Sequence, residues 1–434
     1  MNLSSLSFNA LPPIDLPFRF FFTAPIFIII SALIMLSFGE SLWLSRWTPS
    51  MLSITHGFTL GFITSVMMGA LLQLLPVIGG VGISKPRLVA SFCHLFHCLG
   101  TLALMAAFLH YGAWLYSVAA ICLSLSFAVY IFALCAVLLK KLSQGHIIIG
   151  IRLAVAALLA LVIMGLLLIS RYLELPFYFI SGDKFFTNIH AVLGLGAWAS
   201  LLLMSVSFQV VPMFHVAPNF PTWFTKSLPW LFLLSILLLF YQYDFALYLL
   251  MILHALFALC LLYVLGKRKR KVADTSIQYW QFSAIILLLI SCLYFISELE
   301  ISSALLNVLV LKKTMLLTAL FIFGFLVSVI QGMLLKILPF LSYTHLQQRC
   351  LIDFNAMQFI PHMHEFLHKR HGSWLFYLHI LSCLALVSAI LSPSVYWLFA
   401  CSLLVEFLWL LFIMIKTMRL YFAVDKKISL SCQR

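Results

Sequence analysis

The sequence predicts an all-α integral membrane protein that crosses the bilayer about twelve times, and three observations carry that prediction. Hydrophobic residues fill 64% of the 434 positions and charged residues only 9%, with a mean hydropathy of +1.13, far outside the range of water-soluble globular chains. Apolar runs of roughly 20 residues, the length that crosses a hydrocarbon core of about 30 Å, recur from end to end with short polar breaks between them. Most of the basic residues sit in every second break.

Helices are expected near 19–44, 50–75, 88–110, 113–139, 147–170, 186–212, 228–243, 245–265, 279–297, 314–341, 373–392 and 395–416. The first run is too long for a signal-peptide core, and Asp15 and Arg19 precede it in place of a cationic leader with a cleavage site. It therefore reads as a retained helix. With the N-terminus inside, 21 of the 26 Lys and Arg fall in cytoplasmic segments, leaving Arg46, Arg171, Lys184, Lys312 and Lys313 outside. The positive-inside rule then puts both termini in the cytoplasm and the chain in the inner (plasma) membrane. No soluble domain large enough to fold alone is expected.

The run Lys267, Arg268, Lys269, Arg270, Lys271 follows the eighth helix and accounts for much of the net charge of +14. At that place it faces anionic lipid headgroups, each residue contributing about 1 kcal/mol. Nucleic acid is excluded as a partner, because no soluble module with aromatic or groove-reading elements accompanies the run. The ten Cys form no CxxC pair, so neither a disulfide framework nor a thiolate zinc site is indicated.

An internal repeat organises the chain. The second helix contains His56-Gly57 and Gly61 and ends in Gln73-Leu74-Leu75-Pro76; the sixth contains His190, Gly194 and Gly196 and ends in Gln209-Val210-Val211-Pro212. The tenth carries Gly324 and ends in Lys336-Ile337-Leu338-Pro339, with no histidine at the matching place. The prolines are 136 and 127 residues apart, a period of four helices, which predicts three pseudo-repeated four-helix arcs near 1–143, 144–272 and 273–434. His56 and His190 are expected at one depth, one to two turns in from the outer face. Gly57, Gly61, Ser65 and Gly69 form a stripe of small residues that admits a close helix neighbour.

This arrangement resembles subunit I of the haem-copper oxidases. It is closer, in size and in its Gly-rich His helices, to the NnrS-type haem-and-copper membrane proteins linked to nitric oxide tolerance. The likeness covers nearly the whole chain: twelve helices with both ends inside, three arcs, and the segments HGFTLGFITSVMMGALLQLLPVIGG from His56 and HAVLGLGAWASLLLMSVSFQVVPMF from His190. The resemblance implies haem, and with it copper, as cofactors. His56 matches the second-helix histidine that ligates low-spin haem in the oxidases, and His190 the sixth-helix histidine that ligates copper there. The oxidases also place a His pair on or after the seventh helix and two histidines on the tenth, whereas residues 228–243 and 314–341 contain none. A complete oxygen-reducing centre is therefore not expected. What remains is a reduced haem site, with His56 as one axial ligand and His190, a Met or an outer-end residue such as His110 as the other. Read from the residues alone, the two histidines equally suit hydrogen bonds between closely packed helices.

Other polar groups at bilayer depth are functional candidates by default. Glu406 falls near the middle of the last helix, where a carboxyl is either protonated or partnered, and is the candidate proton relay. His94 and His97 share a face of the third helix, His254 and His379 read as packing residues, and Arg152 is placed to snorkel. The loop segment His364-Glu365-Phe366-Leu367-His368 matches the zincin pattern HExxH, yet a loop of about 30 residues is too small to build a substrate cleft. Trp43, Trp47, Trp114 and Trp397 near one boundary, with Trp223, Trp230, Trp280 and Trp374 near the other, read as aromatic-belt anchors. No Walker loop, dinucleotide fingerprint or nucleophile elbow is present. The expectation is a haem-binding membrane protein with a redox or nitric-oxide-related accessory role and an electron-transfer partner. Its rivals are a permease for a small metabolite or metal ion, along a path lined by Glu406, Arg152 and the mid-depth histidines, and a non-catalytic assembly factor.

Overall fold

The computed structural model describes residues 12–140, 145–175, 184–299, 304–351 and 354–431, and these contain helices and turns but no strand. The chain is a multi-pass membrane protein. Eleven of its helices are long and apolar enough to cross a membrane: α1 (Asp15–Phe38), α2 (Pro49–Pro76), α3 (Pro86–Phe108), α4 (Trp114–Leu138), α5 (His146–Tyr172), α6 (Phe185–His215), α8 (Tyr243–Gly266), α9 (Thr275–Ile296), α10 (Lys312–Arg349), α11 (Lys369–Leu391) and α12 (Tyr396–Ser431). Between α6 and α8 lies the shorter apolar helix α7 (Thr222–Leu238).

Three boundaries differ from the hydropathy reading. Helix α7 starts six residues before the expected 228, directly after Pro221, whose ring presets the helical φ. Helix α10 runs through Pro339 to Arg349, and α12 runs on to Ser431. At 1.5 Å per residue the 36 residues of α12 span about 54 Å, well beyond the hydrocarbon core. The projecting ends of α10 and α12 are tied by Arg349 to Asp425 at 2.9 Å and by Tyr421 Oη at 2.7 Å from His345 Nδ1.

The repeat is visible in the backbone. Each of α2, α6 and α10 opens into a π-helical segment of eight residues, Gly57–Thr64, Leu193–Ser200 and Leu320–Val327, and each segment begins 19 residues before its proline. A π turn leaves carbonyls without their usual donor. In each arc a serine answers with its hydroxyl five residues back: Ser65 to Leu60 (3.3 Å), Ser200 to Leu195 (2.8 Å) and Ser328 to Phe323 (3.3 Å). The three π segments touch one another at the centre of the bundle, where Trp198 Nε1 donates to Thr64 Oγ1 at 3.4 Å. Around them α1 packs on α12, α4 on α5 and α8 on α9, closing the ring.

Small residues set the approach of the first helix in each arc to the second. A Cβ added at Gly61 would stand 2.4 Å from Phe27, and one at the equivalent Gly324 would stand 2.9 Å from Ile286. In the middle arc the small residue has moved to the partner helix, with Gly150 of α5 facing Ser205 of α6. The expected small-residue stripe is thus a packing face. Of the tryptophans read as belt anchors, Trp43 and Trp280 are 2% and 1% exposed and belong to the core, whereas Trp114, Trp223, Trp230, Trp374 and Trp397 are exposed at the rim.

Candidate functional site

The structure brings together the two histidines that the repeat singled out. His56 ends the α-helical first part of α2, and its Nδ1 donates to the Leu52 carbonyl at 2.8 Å, leaving Nε2 free. Its ring centre lies 6.4 Å from that of His190, with 30° between the planes, and 5.3 Å from Phe108 on the other side. His190 packs beside Gly165 of α5, where an added Cβ would come 3.2 Å from the imidazole, and its buried Nδ1 has no partner among the described residues. Phe108, Tyr116 and Tyr172 form a cluster behind His56, with 4.6 Å between the tyrosine rings. Two residues before His190, Asn188 Oδ1 accepts from Arg46 at 2.9 Å, and Trp47 is flanked by Arg46 (4.1 Å) and Lys184 (4.7 Å).

The two histidines are not equivalent within the repeat. Against the π segments, His56 abuts the first π residue, whereas His190 lies three residues ahead of it. Relative to the π segment of its own helix, His190 thus stands two residues earlier than His56, about 3 Å along a helix.

The remaining candidate ligands are placed elsewhere. His110 is exposed in a left-handed turn (φ 63°) between α3 and α4. His97 Nε2 donates at 3.0 Å to Leu60, a carbonyl opened by the first π segment, so this histidine repairs the backbone of a neighbouring helix. His94 Nε2 lies 3.0 Å from Thr23 Oγ1. His254 Nδ1 donates to Leu250 at 2.7 Å inside a cage of Phe232, Phe321 and Phe325. Among the described residues no three His, Cys, Asp or Glu side chains converge as a metal site.

A second polar cluster lies in the third arc, and it is the one that the sequence reading only half found. Glu406 of α12 is fully buried, and its Oε1 accepts from His379 Nδ1 of α11 and from Gln331 Nε2 of α10, both at 2.7 Å. Tyr279 of α9 donates its hydroxyl to Gln331 Oε1 at 2.9 Å, which orients the amide so that its NH₂ faces the carboxylate. His379 Nε2 lies 2.6 Å from Ser328 Oγ, whose single hydrogen reaches the Gly324 carbonyl at 2.7 Å and is shared with the Phe323 carbonyl at 3.3 Å. With that hydrogen on a backbone carbonyl, Ser328 accepts from Nε2 and the ring is an imidazolium facing a carboxylate; with the hydroxyl turned to Nε2, Ser328 donates to a neutral ring. Glu406 Oε2 is buried without a partner. His379, read from sequence as a packing residue, is thus the hydrogen-bond partner of the predicted relay residue. The available signal was that Gln331, His379 and Glu406 all fall near the middle of apolar helices, where each needs a partner.

Two sequence motifs dissolve on folding. In the HExxH segment, Glu365 turns back to accept from the His362 backbone N–H at 3.0 Å, capping the one-turn helix Met363–Phe366. His368 caps α11 by accepting from Arg370 N–H at 3.3 Å, so the two histidines do not share a helix face. Arg152 donates from Nε and Nη2 to the Leu138 carbonyl (3.0 and 2.6 Å), holding the end of α4. No model of a known family matches this chain, and no curated protein matches it.

Proposed function

We propose that this protein lies in the inner (plasma) membrane with both termini cytoplasmic and binds haem near its outer end, with His56 and His190 as the ligands and copper as a further candidate occupant. The bias of Lys and Arg between the two ends of the bundle supports the orientation. The observation that carries the haem reading is the meeting of two histidines from two repeats at 6.4 Å between ring centres. His56 and His190 are the residues that would hold the iron, as imidazole nitrogen donors from two neighbouring helices. The Nδ1 bond from His56 to Leu52 is the backbone contact that ligating histidines make with their other nitrogen, and it keeps the Nε2 lone pair available. The unpartnered Nδ1 of His190 is a buried atom that a ligand would satisfy.

A bound haem would supply one-electron chemistry, with an electron-transfer partner as its donor. The chain's own residues orient and shield. Phe108, Tyr116 and Tyr172 shield His56, and Arg46 and Lys184, both on the Trp47 ring, would suit the carboxylates of a haem edge. A redox or nitric-oxide-related accessory role is favoured over oxygen reduction. Helix α7 carries no histidine, and the one on α10, His345, sits at the far end against Tyr421.

The test is the dithionite-reduced minus oxidised spectrum of the purified protein from haem-replete cells, beside His56→Ala and His190→Ala. A Soret and α-band pair present in the wild type and lost or shifted in either variant is expected. A colourless wild type overturns the reading and brings forward a proton-coupled permease, which the fully buried His379–Glu406 pair favours.

A further inference from the structure

At the end of the bundle that carries Lys267–Lys271, a cavity of about 250 Å³ opens between the α8–α9 connection, the end of α6, the Leu335–Pro339 stretch of α10 and the start of α11. It is bordered by the first turns of two long helices, α9 at Thr275 and Ser276 and α11 at Lys369, Gly372 and Ser373. Helix N-termini present unsatisfied N–H groups and the positive end of the helix dipole, so both favour an anion.

The side chains reinforce that field. Arg270, Lys336 and Lys369 line the cavity against one acid, Asp274. Asp274 is occupied twice over, by an ion pair with Lys336 and by accepting the Ser276 backbone N–H at 3.0 Å as the cap of α9. Among the described residues no acid pairs with Arg270 or Lys369, and their charges stand uncompensated. Glu365, four residues before Lys369 in the chain, accepts from the His362 backbone N–H.

Two further lining groups point to an occupant. His215, 3% exposed, has no partner for either ring nitrogen, and Ser276, 1% exposed, has none for its hydroxyl. Burying three polar atoms without partners is costly, and both residues line the same cavity, where the Ser276 hydroxyl and one ring nitrogen of a neutral His215 are available as donors. We propose that this cavity is a binding site for a phosphate group, held by Arg270, Lys369, His215 and Ser276 between the two helix N-termini. A tetrahedral dianion offers acceptors in several directions at once, which suits donors converging from four chain segments. The group arrives either on a phospholipid headgroup or on a free phosphate, and the site is independent of the haem reading.

The experiment uses the full chain in detergent. One arm extracts co-purified phospholipid and measures lipid phosphorus per mole of protein; the other dialyses delipidated protein against radiolabelled inorganic phosphate. Both are repeated with Arg270→Gln/Lys369→Gln, with Ser276→Ala, and with Lys267→Gln/Lys269→Gln, which removes the same charge outside the cavity. Arg270→Gln/Lys369→Gln is expected to lower retention or affinity roughly tenfold or more, Ser276→Ala a few-fold, and the outer pair less than twofold. Retained lipid that only the cavity variants lose identifies a headgroup, and phosphate binding with the same pattern identifies a free anion. Neither ligand bound by the wild type, or equal losses in the two double variants, overturns the proposal.

Discussion

Removing the carboxylate at Glu406 tests whether the third-arc cluster is a buried ion pair or an ordinary interhelical hydrogen bond. Glu406→Leu leaves His379 Nδ1–H and the Gln331 NH₂ without their shared acceptor, two bonds of 2.7 Å each in a fully buried place. A hydrogen bond to a charged group contributes about 1.5–3 kcal/mol, so the pair of them gives about 3–6 kcal/mol. Breaking a buried ion pair by removing one partner costs about 3–5 kcal/mol, in agreement. Neutral interhelical hydrogen bonds in membranes average about 0.6 kcal/mol, with a maximum near 1.7. The two interpretations are therefore separable.

The assay is a double-mutant cycle of Glu406→Leu, His379→Leu and the double variant, followed by reversible unfolding in mixed micelles. Each single variant is expected to lose about 3–5 kcal/mol, and the double to recover most of it because no buried charge is left behind. A coupling above about 2 kcal/mol exceeds anything a neutral bond supplies here. Additive losses, or a coupling below about 1 kcal/mol, would refute the imidazolium–carboxylate assignment. Glu406→Gln supplies an inner control: it retains an acceptor for both donors but removes the charge, so an ion pair predicts a loss approaching that of Glu406→Leu, whereas a neutral hydrogen bond predicts a loss well short of it.

Three further outcomes follow from the geometry. Tyr279→Phe removes the hydroxyl that sets the Gln331 amide and should lower stability by about 1 kcal/mol, and by less in the Glu406→Leu background, where the amide orientation no longer matters. Gly61→Ala forces α1 away from the first π segment, since the new Cβ meets Phe27 at 2.4 Å, and should cost about 1–3 kcal/mol in the same unfolding assay. Glu298, outside the spans, is held below the usual glutamate range chiefly by its hydrogen bond from Lys313. A depressed carboxyl stabilises the fold above its unfolded value and loses that contribution as pH falls through its folded value. Because the side chain is 39% exposed, Glu298→Gln should cost well under 1 kcal/mol at neutral pH. The wild-type advantage in melting temperature should vanish under acid conditions, and an advantage that persists or grows there would count against the assignment.

Much of the architecture was legible because lipid imposes a one-dimensional rule. A run of about 20 apolar residues must be a helix, since no other open structure satisfies its backbone in hydrocarbon. The helix order, the polar breaks and the three prolines of the repeat all follow that local rule. Helix ends followed it less well, because α7 answers to Pro221 and α12 continues past the bilayer on contacts with α10.

The chemistry of the buried polar groups obeys a different rule, since each needs a partner and the partner stands on another helix. His56 and His190 drew notice because the repeat labelled them, and their nearness is the outcome of α2 and α6 sharing the centre of the bundle. Glu406 was conspicuous as a carboxyl inside an apolar run, but nothing in the chain order tied it to His379, Gln331 or Tyr279, which come from three other helices. The zincin-like segment and Arg152 show the converse, because residue types that match a chemical role were drawn to nearby backbone groups. Sequence alone determined that this is a helical membrane protein built on three related arcs. Only the tertiary register of those helices decided which polar atoms meet, because hydrogen bonds reach about 3 Å and a shift of one residue along a helix moves a side chain by 1.5 Å and about 100°.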